Sequence, residues 1–573
     1  MRLKLLSLLF LSFGILLGSC SSEEETTEEL VAKGNKMYGG ELKFMSTEKI
    51  DNLYPAFVAD VYSSRIISQI YEPLLVIDPI SGKVNEAVAK SWSVSDDARI
   101  YTFKIRKGIK FHKDACFSDD DRELTAKDVK FTLDMACTNH KNNEIYYLLV
   151  DRVKGAKKHF QSTSNGKIKK GGVSGIKVID DYTIQVTLNE PFVGFEKVLT
   201  HASLGITAPE AFKKYGSKIG KHAVGTGPFA LESYSDSKIV LKRNANYWRK
   251  DKFGNKLPFL SKVTMTYAKT KKSELMAFRN SKIDLVLELP VEETEHVLGT
   301  LIEAQEGKNV KHKVDAEKSM GMMYIALANN SQEFSDERVR MAFNMAIDRT
   351  KIVDQFLEGE GWPAKNGFVP EIKNYPMESV KGFDYNPAKA KSLLGQAGYA
   401  NGNGFPVLDF YVNAIEGSAV DRACRAIVAQ IKENLNITLN IKLCTLEERR
   451  NAIESGNAKI WRGGWIADYP DPENFLAMFY GKNIQSKSTM VNAFQFNNEE
   501  FNRLYEKAQV ETDPEKRMKL LAECDQLVVD HAAVMPIMTD DHIVMINARV
   551  RDFNATPMEN LYLTNVYIKE PRK

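Results

Sequence analysis

Charge of one sign is what this sequence has least of: 78 Lys and Arg stand against 75 Asp and Glu, a net charge of +3 over 573 residues. So even a balance exerts no overall pull on nucleic acid or an anionic membrane surface, and function has to be sought in local sites. The spacings that mark metal and catalytic chemistry are missing too. Nine histidines include no HExxH and no close pair, and six cysteines form no CxxC, so neither zinc pattern is available. Asp119-Asp120-Asp121 lacks the alternating acids and the glycine of a calcium loop. No GxSxG elbow exposes a nucleophilic serine. Residues 225–230 and 359–364 fit GxGxxA, but each carries a proline inside its turn. Neither leads from a strand into a helix, as a dinucleotide site requires. No metal, cofactor, nucleic acid or enzymatic turnover is expected.

Long apolar runs are equally scarce. Residues 5–17 form one, behind Arg2 and Lys4, and it is shorter than the roughly 20 residues a membrane-spanning helix needs. A basic start, an apolar core and then Gly18-Ser19-Cys20 read as a secretory signal. Leu17-Gly18-Ser19-Cys20 resembles a bacterial lipobox, which implies a signal peptide over 1–19 and a lipid on Cys20. The acidic, aromatic-free stretch that follows belongs to a disordered tether over 20–37. The expected location is the cell envelope, lipid-anchored and facing the periplasm or the outer surface.

Five cysteines remain in that disulfide-permissive compartment. Cys116 with Cys137, and Cys424 with Cys444, would each close a loop of about 20 residues, worth up to ~3 kcal/mol. Buried free thiols fit the spacing as well, and Cys524 is left over in a helix.

A chain this long exceeds one core. Strand patterns occur at residues 41–45, 75–77, 91–95 and 100–106, and Thr125-Ala126-Lys127-Asp128 starts a helix that Thr125 can cap. Residues 153–175, rich in Lys, Gly and Ser, read as a loop. Residues 336–352 read as one amphipathic helix whose arginines are solvated or ion-paired. Helices over 499–510 and 514–529 precede strands over 534–538 and 542–547. The densest chemistry is Trp461-Arg462-Gly463-Gly464-Trp465-Ile466-Ala467-Asp468-Tyr469-Pro470-Asp471-Pro472, where glycines admit close backbone approach beside two indoles, a cation and two carboxylates.

Several blocks occur in a recognisable order: Tyr71-Glu72-Pro73-Leu74, Ser91-Trp92, Tyr101-Thr102-Phe103-Lys104-Ile105-Arg106-Lys107-Gly108, Thr125-Ala126-Lys127-Asp128-Val129, Gly225-Thr226-Gly227-Pro228-Phe229, Arg243-Asn244-Ala245-Asn246-Tyr247-Trp248 and Tyr385-Asn386-Pro387-Ala388-Lys389-Ala390. Together they resemble the extracellular solute-binding proteins of family 5, the oligopeptide-, dipeptide- and nickel-type receptors of ABC importers. The resemblance implies an α/β, two-lobed periplasmic-binding-protein fold of the large type, with an extra third domain and a ligand cleft between lobes. It implies lobe I over 38–74, domain II over 75–205, lobe I again over 206–328, lobe III over 329–530 and lobe I once more over 531–573.

The resemblance also implies a monomeric, non-enzymatic receptor for short peptides that delivers them to ABC permease subunits. Asp468, three residues after Trp465, matches the residue that holds the ligand's α-amino group. Gly464, Trp465 and Ile466 match the strand that contacts its backbone, and Ala59, Asp60 and Val61 match the opposite edge. Arg462 matches an arginine that meets a short peptide's carboxylate; a structural ion pair is the alternative. Asp471 and Glu473 match positions that end a turn and start a helix. Tyr54 and Asn85 depart from the family pattern, which leaves open a non-peptide solute such as a metal chelate, haem or an oligosaccharide. A secreted hydrolase is the reading from another class.

Overall fold

A computed structural model of the protein describes residues 31–78, 81–119, 122–163, 168–289, 312–356, 361–484 and 491–569. The expected signal peptide and Cys20 lie outside the described residues. Three sheets organise the rest. The first has seven strands in the order Phe229–Tyr234, Lys238–Arg243, Lys262–Tyr267, Glu41–Ser46, Leu285–Val286, Asp541–Asn547 and His312–Lys318. Glu41–Ser46 runs parallel to both its neighbours, and its alternation turns Leu42 and Phe44 into the core. The second sheet has four antiparallel strands, Ala89–Val94, Ile100–Ile105, Thr183–Thr187 and Ile176–Asp180. The third has six: Trp362–Pro363, Val534–Thr539, Gly321–Leu327, Ile460–Ile466, Leu408–Val412 and Leu439–Leu443.

The chain crosses between the seven- and six-stranded sheets twice, from Lys318 to Gly321 and from Thr539 to Asp541. The Ser319 N–H donates to the Asp540 carbonyl at 3.0 Å and ties the crossings together. These switch points differ from the expected boundaries at 328/329 and 530/531. Gly321–Leu327 is buried along its whole length and reads as one apolar run.

One contiguous buried cluster runs from Tyr101 and Phe103 of the four-stranded sheet to Tyr324, Trp461 and Phe475 on one face of the six-stranded sheet. The opposite face, with Ile325 and Ile460, packs on the helices Glu337–Met345 and Ala419–Leu435. The seven-stranded sheet has its own core around Phe44, Ile67 and Val263.

Four local expectations are corrected. Residues 31–37 are not tether: Val31–Ala32 pairs antiparallel with Lys36–Met37 around Gly34 and Asn35. Ala32 faces Lys36, so the loop has three residues, 33–35, and Gly34 and Asn35 both have positive φ. The helix expected over 336–352 is two, Glu337–Met345 and Arg349–Phe356. Its inner arginines are neither solvated nor ion-paired. Arg340 donates to the carbonyls of Phe334 and His531, and Arg349 to that of Pro536, so both hold backbone. The Lys-rich loop contains a helix, Ala156–Ser162. Finally Cys116, Cys137, Cys424 and Cys444 are free thiols. Cys116 faces Asp114, Cys137 caps the buried end of Ala126–Ala136, and Cys424 is enclosed in the helical face of the six-stranded sheet.

Candidate functional site

Strand Ile460–Ile466 is the element around which the site is built. It is an antiparallel partner of Gly321–Leu327 over its full length, but on its other edge only Ile460 and Trp461 pair with Leu408–Val412. Among the described residues, the stretch from Arg462 to Ile466 therefore has no strand on that side. An unpaired strand edge is a template for another extended chain. Gly464 stands exposed there.

That edge opens into a cavity of about 670 Å³. Ala59, Asp60, Val61, Arg462, Gly464, Trp465, Ile466 and Asp468 all line it, so the structure brings the expected site residues to one place. Asp60 also caps the helix Val61–Ile70, accepting from Ser63 N–H at 2.8 Å. The cap fixes where the opposing wall begins. Both sheet crossings contribute, through Gly321, Met322, Asp540 and Asp541, and the four-stranded unit adds Glu144, Tyr147 and His201. The cavity thus sits where all three sheets meet.

Asp468 is held by three side chains. The Tyr147 hydroxyl donates to Oδ2 at 2.6 Å, the Asn474 amide to the same oxygen at 2.9 Å, and His201 Nε2 lies 3.2 Å from Oδ1. His201 Nδ1 accepts the Ser203 N–H at 3.0 Å, which turns the ring so that Nε2 faces Asp468. Burial pushes the Asp468 carboxyl up, but His201, Tyr147 and Asn474 outweigh it and hold the group below its ordinary range. Among the described residues no Lys or Arg pairs with it. A carboxylate so solvated by fixed dipoles is ready to meet a cation.

Asn474 orients the whole turn: its Oδ1 accepts from the Trp465 indole N–H and from the Asp468 backbone N–H, both at 3.0 Å. It stands on the helix Pro472–Leu476, which Asp471 caps. Asp471 and Glu473 are not cavity groups. Asp471 binds Lys197 and Arg517 at 2.9 Å, and Glu473 binds Arg152, Tyr469 and Tyr505, all in the interior between the four- and six-stranded sheets. Burial raises the Asp471 carboxyl, and Arg517 and Lys197 pull it far below its ordinary value.

Arg462 has no carboxylate within ion-pair distance among the described residues, and its buried Nε has no hydrogen-bond partner. Sequence reasoning missed Tyr147, His201, Asn474 and Arg449, all close to the cavity. Tyr147 and His201 lie some 320 and 270 residues before Asp468 and belong to no motif. Asn474 was within reach, being six residues past Asp468 in the same segment.

The chain is similar to several known proteins. The chain is similar to heme-binding protein A of Haemophilus influenzae, 27% identical over 513 residues and covering 88% of each chain. It is similar to the oligopeptide-binding protein OppA of Bacillus subtilis, 26% identical over 531 residues, 90% of this chain and 91% of that one. Among solved structures, the periplasmic binding protein DppA of Helicobacter pylori in complex with the peptide STSA superposes with a TM-score of 0.77. It is 25% identical, with 93% of this chain and 99% of that chain covered. The family model for bacterial extracellular solute-binding proteins, family 5, matches residues 83–487. A match over most of the chain, with relatives that span its length and a shared two-lobed fold, makes this protein a member of the bacterial extracellular solute-binding proteins, family 5.

Proposed function

We propose that the protein is the lipid-anchored, non-enzymatic receptor of an ABC importer, capturing short peptides in the cavity and delivering them to permease subunits. The observation that carries this reading is the unpaired edge of Ile460–Ile466 ending at Asp468. An extended peptide adds to such an edge through main-chain hydrogen bonds, which depend little on its sequence. Its α-ammonium then reaches a carboxylate that no Lys or Arg pairs with among the described residues. The peptide-bound DppA relative and the OppA relative support a peptide, and heme-binding protein A keeps haem as the alternative. Cys20 is the anchor in this reading, and Cys20→Ser should shift the protein from the membrane fraction to the soluble one.

Removing one partner of a buried charge pair costs about 2–5 kcal/mol, or roughly 30- to 5,000-fold in affinity. Asp468→Ala is therefore expected to weaken a free-amine peptide by at least that lower factor. The same variant should weaken folding far less than it weakens binding. Calorimetry with a peptide and its N-acetylated form checks the idea. Equal affinity of the wild type for both forms would sink the amine clamp. Mass spectrometry of the solute co-purified with native protein separates peptide from haem, chelate or sugar.

A further inference from the structure

Away from the cavity, one surface combines exposed apolar side chains with charge that nothing neutralises. It joins the hairpin of residues 31–37 to the turn of residues 249–256. Asp251 builds the turn: its Oδ1 accepts the N–H groups of Phe253 and Asn255, both at 2.9 Å. Asn255 then stitches turn to hairpin. Its Oδ1 accepts the Lys33 N–H at 3.0 Å, and its Nδ2 donates to the Lys33 carbonyl at 2.9 Å. Gly34 lies against the Phe253 ring, where a Cβ would stand 2.7 Å from a ring carbon. The two loops thus form one fixed surface, and Val31 and Phe253 are exposed on it.

Lys33, Lys250, Lys252 and Lys256 are exposed, and among the described residues none has a carboxylate within ion-pair distance. Lys250 and Lys256 face each other across an antiparallel bridge. Like charges directly opposite on paired strands repel, and an anion laid across the turn would relieve that repulsion. The nearby acids are already engaged: Asp251 by the turn and by Lys36 at 3.8 Å, Asp552 by Lys36 at 2.9 Å. Lys252 Nζ lies 5.2 Å from the centre of the Phe253 ring. An aromatic body among cationic heads suits the boundary between lipid headgroups and acyl chains. The Lys-rich segment around Ala156–Ser162 differs: Lys157 pairs with Asp151 at 3.0 Å, and among the described residues no exposed aromatic ring accompanies its lysines.

We infer that the surface of Lys33, Lys250, Lys252, Phe253 and Lys256 docks on an anionic lipid membrane. The inference rests on the reading of Cys20 as the anchor. Val31 is eleven residues past Cys20, and a chain of that length spans at most about 40 Å, so the hairpin is held close to the membrane that carries the lipid. A lipid and a basic patch are two signals that together make membrane binding stable. Arg249, one residue before Lys250, lines the cavity and pairs with Glu72 at 3.3 Å, so docking at this turn sets how the cavity faces the membrane.

The test uses the mature chain without its lipid, residues 21–573, sedimented with vesicles of mixed phosphatidylglycerol and phosphatidylcholine or of phosphatidylcholine alone. Wild type should sediment with the anionic vesicles at low salt, come off at about 0.5 M salt, and ignore phosphatidylcholine. Each basic residue near such a surface is worth about fivefold in binding. Lys250→Gln with Lys252→Gln and Lys256→Gln should therefore weaken it tenfold or more, and Phe253→Ser severalfold. Lys154→Gln with Lys158→Gln and Lys169→Gln, the same charge removed elsewhere, should leave it unchanged. Thermal midpoints equal to wild type check that every variant is folded. A wild type that ignores anionic vesicles, or two triple variants that lose binding equally, overturns the inference. Fractionation of the Cys20→Ser variant reports separately on the anchor, so a missing anchor and a surface that does not dock are told apart.

Discussion

Asp540 sits at the second sheet crossing, where its carbonyl accepts the Ser319 N–H and its side chain faces the cavity. Burial, with Glu559 beside it, pushes its carboxyl up to about 7. The folded protein therefore binds this proton more tightly than the unfolded chain, whose aspartates titrate near 3.9. The stability it contributes is fully present below about pH 4 and is lost as pH rises through 7. Asp540→Asn, neutral at every pH, is expected to match wild type near pH 4.5. At pH 8 it should exceed wild type by on the order of 1–3 kcal/mol. Urea midpoints at the two pH values decide; a difference of the same size at both would reject the assignment. Nothing in the sequence around Asp540 marks it, because its shift comes from a glutamate 19 residues later and from enclosure by three sheets. Asp468 was legible because its chemistry is local, three residues after Trp465, whereas its donors Tyr147 and His201 come from another unit and left no trace in the pattern.

The paired glycines of Ile460–Ile466 look alike in sequence and differ in the fold. Alternation puts them on opposite faces of the strand. A methyl group on Gly463 would overlap the buried Tyr324 ring, which packs on Phe368 and Phe494 at 5.3 and 5.4 Å between centroids. On Gly464 it would meet nothing closer than Arg462 Nη2 at 3.9 Å. Gly463→Ala is therefore expected to cost about 1–3 kcal/mol by forcing the ring to move. Gly464→Ala should stay within about 0.5 kcal/mol and change ligand affinity instead. Thermal unfolding of the two variants tests the contrast, and equal midpoints would contradict it. Long periodic elements such as Glu499–Val510 and Pro514–Asp530 could be read from sequence because one face is uniformly buried. The break between Glu337–Met345 and Arg349–Phe356 could not. The apolar period continues through it, while Arg349 turns inward to the Pro536 carbonyl, a partner 187 residues away.

At the scale of the molecule, the chain runs from the seven-stranded sheet into the four-stranded one, back, into the six-stranded one and back again, and the cavity lies where the sheets converge. What the pattern did not disclose is how the four- and six-stranded units are joined behind it. Asp471 links Lys197 of the helix Phe195–Val198 to Arg517 of Pro514–Asp530, and neither Asp471 nor Arg517 is more than 4% exposed in its side chain. A buried ion pair is broken at high cost when one partner is removed, yet replaced at low cost when both become uncharged and well packed. Asp471→Asn strands the Arg517 guanidinium and is expected to destabilise the protein by about 3–5 kcal/mol. Asp471→Asn with Arg517→Met should recover much of that loss, since Lys197, about a quarter exposed, can turn to solvent. The native pair, held far below the ordinary aspartate pKa, supplies its stability above pH 4 and loses it on acidification. The single variant should therefore approach wild type in acid, as the double variant does at neutral pH. Denaturation of wild type and all three variants, the two singles and the double, completes a double-mutant cycle. A double variant that costs the full sum of the singles would mean that the pair does not join these units.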